Sequence, residues 1–460
     1  MSIQTINPFT NKVVKTFDEM SEVTLDNLVE QAAKAFEKWK NTTLEHRADL
    51  LNNVARLLRE RKWELAKTIT LEMGKLIAQA EGEIELSANI FEYYALHSQR
   101  FLADKYLNPE FGKAYYKQTP LGVILGVEPW NFPFYQVARF AAPNLMIGNT
   151  VLVKHSSSVP QCAIAIEKIF ADAGAPIGVY TNLQISGKRA SSVVSDTRIK
   201  GVSLTGSEEA GSSIAEQAGK YIKKSVLELG GSDAFIVLED ADIDQAVSWG
   251  IIGRINNNGE CCIASKRFIV LEEVSDEFLK KFTEKMKNLV IGDPMDPKTE
   301  LGPLSSEAAV VHIADQIKKA IDAGAKLVLG GTRSKLEGAF MEPTIITNIK
   351  PGNPVYYQEL FGPVASYFVV KDENEAIKLA NDSSYGLGCS IFSSNIERAK
   401  NIANQIDTGM VFINHPVWTE ADLPFGGTKN SGYGRELSEL GIQEFVNRKL
   451  IRISELSDPM

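Results

Sequence analysis

From residue 121 onward, short apolar runs rich in β-branched residues alternate with stretches of helical periodicity. The runs at 121–127, 150–154 and 201–205 form one series, and those at 234–238, 267–271 and 326–331 form a second. Helical spacing marks Gln161–Ala173, Asp276–Leu289 and Ala308–Ala323. Strands that are apolar throughout need cover on both faces, and helices placed between them supply it. The pattern predicts two α/β units with parallel sheets, joined near residue 229. The first hundred residues read as mostly helical. Leu25, Leu28, Val29, Ala32, Phe36 and Trp39 share a helical stripe behind Thr24, a candidate N-cap, and Leu50, Leu51, Val54, Leu57 and Leu58 repeat it. The alternating tail at 449–456 predicts an edge strand.

At roughly 150 residues per domain, 460 residues suggest two or three domains. That length buries a core without disulfide or metal staples. The net charge of −9 argues against a nonspecific grip on nucleic acid or an anionic membrane. No apolar run approaches the roughly 20 residues of a membrane helix. The opening residues are polar, and only four cysteines occur, so the expectation is a cytoplasmic protein with reduced thiols. The five histidines lie far apart, without zinc-ligand spacing, and no metal is expected.

Four short segments carry candidate chemistry. In Asn258-Gly259-Glu260-Cys261-Cys262, adjacent cysteines do not easily bridge. Either one is a nucleophile or both are buried small apolar residues, and taken alone the segment favours the second reading. In Leu227-Glu228-Leu229-Gly230-Gly231, the glutamate is either a solvated strand end or a general base whose pKa apolar surroundings raise. Thr205-Gly206-Ser207 joins a strand to a helix. It reads as a capped helix start, with Ser207 as N-cap, or as a phosphate cradle. Pro129-Trp130-Asn131-Phe132-Pro133 is an ordinary turn, or a rigid loop whose Asn131 amide donates to an oxyanion.

In this order, the four segments resemble the aldehyde dehydrogenase superfamily. The resemblance covers essentially the whole chain. It begins at Asn7-Pro8-Phe9-Thr10 and runs through Gly148-Asn149-Thr150-Val151, Leu301-Gly302-Pro303-Leu304, Glu359-Leu360-Phe361-Gly362-Pro363 and Tyr385-Gly386-Leu387. It ends in the stretch from Pro424 to Glu436, and the 34-residue step from Glu228 to Cys262 is also the family's spacing. The resemblance implies an α/β fold with a Rossmann-like cofactor domain (1–101 and 121–228), a catalytic domain (229–432) and a small β oligomerisation flap (102–120 and 433–460). It implies a homodimer or homotetramer.

In the family scheme Cys262, not Cys261, is the nucleophile. Asn131 and the Cys262 backbone N–H hold the oxyanion, and Glu228 activates the water that hydrolyses the thioester. Trp130, Gly206, Ser207, Glu359 and Phe361 match cofactor contacts, and Lys154 matches a residue reaching the adenosine ribose. Members that prefer NAD usually carry glutamate where this chain has Ser157. Serine removes a charge that would repel a 2′-phosphate, so NADP is the expected preference, with NAD usable.

Tyr135, Arg139, Trp418 and Thr419 match the lining of the substrate tunnel. An arginine about two helical turns beyond Asn131 either takes a substrate carboxylate bidentately or forms a surface or interdomain ion pair. The pattern around Gln136-Val137-Ala138-Arg139 resembles the succinate-semialdehyde dehydrogenase branch. The implied reaction is oxidation of that small aldehyde acid to succinate. The alternatives are a broader aldehyde dehydrogenase acting, for example, on glutarate semialdehyde, a coenzyme-A-acylating enzyme, which Glu228 disfavours, and a non-catalytic protein retaining the fold. One departure stands out: the family usually has glutamine where this chain has Glu260. A carboxylate there raises the thiol pKa if close and buried, and does little if it points away. Cys261 also raises the idea of a strained vicinal disulfide as an oxidative switch.

Overall fold

The computed structural model describes residues 3–454 and Leu456; the remaining tail positions of the proposed flap lie outside the described residues. Two sheets organise the chain. A six-stranded sheet carries Gly432–Tyr433, Lys224–Glu228, Ile199–Thr205, Val123–Glu128, Thr150–His155 and Tyr180–Asn182, in that spatial order. The last five are parallel, and Gly432–Tyr433 returns antiparallel to Lys224–Glu228. A seven-stranded sheet has Asp233–Val237 and Ser265–Leu271 near its centre. The chain therefore passes from one sheet to the other between Glu228 and Asp233. Both strands of that passage are buried at this junction.

The apolar runs became these strands because helices cover both faces. Val151, Leu152 and Val153 have no exposed surface, and neither do Phe268, Ile269 and Val270. Residues 326–331 differ. Lys326–Leu329 is an exposed, antiparallel edge of the second sheet, where only one neighbour is available. The N-terminal region is helical from Glu22 to Phe101 with short breaks, but an antiparallel hairpin of Ile3–Asn7 and Lys12–Phe17 precedes it. The first helix is Glu22–Trp39, and Ser21 rather than Thr24 caps it. The Ser21 hydroxyl accepts the Thr24 N–H at 3.1 Å, which places the start one turn earlier than the apolar stripe suggested.

Lys105–Leu107, Lys113–Pro120 and Val446–Ile453 form a separate three-stranded antiparallel sheet. It brings together two segments more than three hundred residues apart. Tyr433 belongs instead to the six-stranded sheet, opposite Leu227.

The first sheet also explains where loops gather. Val123–Glu128 is followed by Thr150–His155 and Tyr180–Asn182 on one side, and the chain then crosses to Ile199–Thr205 on the other. Such a reversal of strand order leaves a crevice at the carboxyl ends of the strands, where ligands bind in open α/β sheets. The loops holding Asn131, Ser157 and Ser207 all leave that edge.

Candidate active site

Cys262 follows a tight irregular turn at Asn256–Gly259. Asn257, Asn258 and Gly259 all have positive φ, at 54°, 57° and 81°. Asparagine and glycine tolerate that left-handed backbone better than other residues. Cross-links then hold the turn. Asn258 donates to the carbonyls of Gly74 and Pro303 at 3.0 and 2.9 Å and accepts from the Gly302 N–H. Arg254 donates to the Gly259 carbonyl at 2.7 Å.

The strand Lys224–Glu228 meets this turn through a pair of glycines. A Cβ at Gly231 would sit 2.6 Å from the Cys262 carbonyl oxygen, and one at Gly230 would strike the Glu359 carboxylate. Lys266 knits the same corner, donating to the carbonyls of Cys261 and Cys262 at 2.9 and 2.7 Å and pairing with Glu359 at 3.0 Å.

Glu228 ends its strand 2% exposed, with neither carboxylate oxygen hydrogen-bonded among the described residues. Burial pushes its carboxyl well above the usual range, Arg139 opposes the shift and Glu436 adds to it. The Cys262 thiol is also raised, first by the neighbouring Cys261 thiol and then by burial. Both shifts favour the neutral form of the group. All four cysteines are free.

Asn131 is held from several directions. Its carbonyl accepts from Lys75 Nζ at 2.8 Å and Asn257 Nδ2 at 3.1 Å. Its side-chain nitrogen donates to the Glu260 carbonyl at 3.2 Å, and its Oδ1 accepts from Gln136 at 2.9 Å. Lys75 and Glu83 form an ion pair with essentially no exposed surface. The Glu83 carboxylate also accepts the N–H groups of Phe134 and Tyr135 at 2.8 and 3.2 Å, at the start of the helix Tyr135–Ile147. The Lys75 ammonium sits 3.6 Å from the Phe132 ring centre. Among the described residues, the second Nδ2 hydrogen of Asn131 and the N–H of Cys262 have no acceptor.

Glu260 turns away from this centre. Its carboxylate accepts from the Ser305 N–H and hydroxyl, with the hydroxyl at 2.8 Å. Burial raises its pKa to about 8 against those hydrogen bonds. It is not among the leading causes of the shift at Cys262.

Cys262 faces a cavity of about 250 Å³ lined by Phe132, Tyr135, Trp418, Thr419 and Phe425, among others. The Tyr135 and Thr419 hydroxyls are hydrogen-bonded to each other at 2.7 Å. Arg139 reaches the same wall but is not a free guanidinium, in contrast to the expectation that it takes the substrate carboxylate bidentately. It is 1% exposed, ion-paired with Glu436, and donates to Tyr135 at 3.2 Å and Thr205 at 3.0 Å. A buried cation needs a counter-charge, and the C-terminal return of the chain supplies one.

The cofactor-side residues lie along the sheet edge and its opposite wall. Trp130 and Phe361 meet edge to face at 5.9 Å. Ser207 caps its helix, accepting the Ala210 N–H at 3.3 Å, and a Cβ at Gly206 would meet nothing closer than Leu204 at 3.5 Å. Lys154 is 9% exposed and has no ion pair or hydrogen bond among the described residues, and desolvation lowers its pKa. Ser157 is exposed three residues later, and no carboxylate occurs between them. An unpaired, desolvated ammonium beside an exposed hydroxyl fits a phosphorylated ribose. Glu359 matches the expected position, but Lys266 and the Gly231 N–H hold its carboxylate.

Reading the sequence did not find Lys75, Glu83, Gln136, Lys266 or Glu436 as supports of this site. Gln136 and Glu436 lay inside quoted motifs, without this role. Lys75, Glu83 and Lys266 come from distant segments or carry no local signal.

The fold and the paired cysteine and glutamate segments define one class: the chain belongs to the aldehyde dehydrogenase family, whose model matches residues 1–451. It is similar to a succinate-semialdehyde dehydrogenase [NADP(+)] of Deinococcus radiodurans, with 50% identity over 97% of this chain and 94% of that protein. A probable succinate-semialdehyde dehydrogenase [NADP(+)] of Synechocystis is 45% identical over 99% of this chain and 100% of its own length. The crystal structure of succinic semialdehyde dehydrogenase from Streptococcus pyogenes, in complex with NADP+, matches with a TM-score of 0.97 at 49% identity, over 98% of this chain and 100% of that one.

Proposed function

We propose that this protein oxidises succinate semialdehyde to succinate, with NADP preferred over NAD. The observation that carries the cofactor reading is the unpaired Lys154 beside Ser157, with no carboxylate in the loop to repel a 2′-phosphate. NADP-dependent relatives at 45–50% identity support both halves of the proposal.

Cys262, once deprotonated, attacks the aldehyde carbon. The oxyanion takes the free Asn131 amide hydrogen and the Cys262 N–H, and one such donor is typically worth about 3 kcal/mol. Bound NADP supplies the hydride acceptor, held by Trp130, Lys154, Ser157, Gly206, Ser207, Glu359 and Phe361. Glu228 then takes a proton from the water that cleaves the thioester, and the carboxylate product leaves. The glutamate must be ionised for that step, which its apolar cage resists until substrate and water enter.

The substrate's far carboxylate meets the hydroxyls of Tyr135 and Thr419. Arg139 stands behind Tyr135, oriented by Glu436, and polarises that hydroxyl rather than gripping the substrate alone. The domain limits at 101, 121, 228 and 432 follow the family scheme. The three-stranded sheet of 105–107, 113–120 and 446–453 offers a pairing edge for a homodimer or homotetramer. The four free thiols suit the cytoplasm.

Purified protein given succinate semialdehyde and either cofactor tests the proposal through NADPH absorbance and succinate yield. A higher kcat/KM with NAD overturns the cofactor half. A higher kcat/KM with glutarate semialdehyde or an uncharged aldehyde overturns the substrate half.

A further inference from the structure

An asparagine side chain presents a donor on one side and an acceptor on the other, so its use at an oxyanion depends on which way it is turned. At Asn131 one neighbour settles the matter. The Glu260 carbonyl only accepts, and it lies 3.2 Å from Nδ2. Turned over, the amide would set Oδ1 against that carbonyl, two acceptors with no hydrogen between them. Nδ2 therefore faces Glu260, and Oδ1 faces Gln136, whose Nε2 donates at 2.9 Å.

Gln136 is 2% exposed, in the first turn of the helix Tyr135–Ile147. Its Oε1 is buried without a partner among the described residues. A buried amide with one bond made and one acceptor unmet is a poor choice for stability, and an apolar side chain of the same length would pack without the orphan. Its one side-chain bond goes to Asn131.

We propose that Gln136 is a positioning residue for the oxidation: its bond to Oδ1 locks the Asn131 amide with nitrogen toward the nucleophile segment, leaving the second Nδ2 hydrogen free for the oxyanion. The inference rests on the oxyanion reading of Asn131. Gln136 acts through Asn131 and holds no part of the substrate, although it borders the cavity.

The test uses Gln136→Met, which keeps the length and removes the donor, alongside Asn131→Ala and the double variant. Each is assayed with NADP and two substrates, succinate semialdehyde and an uncharged straight-chain aldehyde. Gln136→Met should lower kcat/KM about 10-fold for both aldehydes alike. The loss should fall in kcat, with KM for NADP unchanged, and the double variant should be no slower than Asn131→Ala. The melting temperature should change little, because the Gln136 oxygen that lacked a partner is gone while Asn131 Oδ1 loses its donor. Gln136→Glu adds a pH signature. Its protonated carboxyl donates to Oδ1 and its carboxylate cannot, so its activity relative to the parent should fall as pH rises.

Parental kcat/KM in Gln136→Met would overturn the proposal. So would a loss confined to the acid aldehyde, a loss that multiplies in full onto Asn131→Ala, or one that tracks a fall in melting temperature. If Asn131→Ala is slow while Gln136→Met is not, only the role of Gln136 fails. If Asn131→Ala keeps the parental rate, the oxyanion reading fails first.

Discussion

Two loops leave the same edge of the six-stranded sheet and are built in opposite ways. The loop at 129–134 is saturated with support. Its Asn131 carbonyl has two donors, its side-chain amide is bonded at both ends, and its Phe134 N–H rests on a carboxylate paired with a buried lysine. The loop at 154–158 is sparsely bonded. Among the described residues Lys154 has no anion and Ser157 has no side-chain bond; Ser156 and Ser158 meet at 2.9 Å, and buried His155 reaches the Pro133 carbonyl at 3.0 Å. The contrast follows from what each must do. A donor for a transient charge works best when already oriented, because it then reorganises little during reaction. A site for a multiply charged ligand must instead keep its cation unpaired until the ligand arrives.

The sharpest way to break this contrast is Lys75→Met. It leaves the Glu83 carboxylate buried without its cation, which typically destabilises by about 3–5 kcal/mol. Thermal melting should show that loss, and Lys75→Met with Glu83→Gln should recover part of it. A parental melting temperature in the single variant would mean the braced loop does not depend on its ion pair.

Ser157→Glu acts on the open loop and should leave melting unchanged. Placing a carboxylate beside the expected 2′-phosphate should shift the NADP-to-NAD ratio of kcat/KM toward NAD by on the order of 10-fold or more. An unchanged ratio would remove Ser157 from the cofactor site.

The third effect is a shift of pH profile. Both Cys262 and Glu228 must lose protons that their surroundings hold, so kcat/KM should rise from neutral toward alkaline pH. Cys261 is the first cause of the raised Cys262 thiol and is itself lowered by the same contact, so Cys261→Ala should move the rising limb. A limb that stays in place would show that the two thiols do not interact.

Glu260→Gln should give the smallest effect, and one on stability. The folded pKa of about 8 lies above the ordinary 4.5, so the protonated form is the one the fold favours. Its contribution is full below about pH 4.5 and is lost as pH rises toward 8. The melting temperature of Glu260→Gln minus that of the parent should therefore grow between pH 5 and pH 8, by on the order of 2 °C. A difference that is flat with pH would place the ionisation elsewhere.

The Cys262 and Glu228 segments were legible through the family resemblance, not from their own residues alone. Cys262 and Glu228 stand in short segments with family spacing, and the strands around them are continuous apolar runs, as buried parallel strands must be. The N-terminal hairpin was missed because its second strand, Lys12–Phe17, is almost wholly exposed and lacks a buried face to pattern it. Arg139 was expected at the tunnel from the family resemblance, and it borders the cavity that Cys262 faces. Its partner Glu436 lies nearly three hundred residues away, and no periodicity announces such a pair.

The sequence by itself determined the alternation of strands and helices, the order and spacing of the Glu228 and Cys262 segments, and the absence of a carboxylate between Lys154 and Ser157. These depend on residue type and short spacing. Tertiary structure alone decided that Glu260 turns to Ser305, that Arg139 is neutralised by Glu436, and that Lys75, Glu83 and Gln136 converge on Asn131. Buried charges and amides have no intrinsic preference along the chain. Each takes whichever partner the folded interior brings within hydrogen-bonding distance, because leaving it without one is costly there.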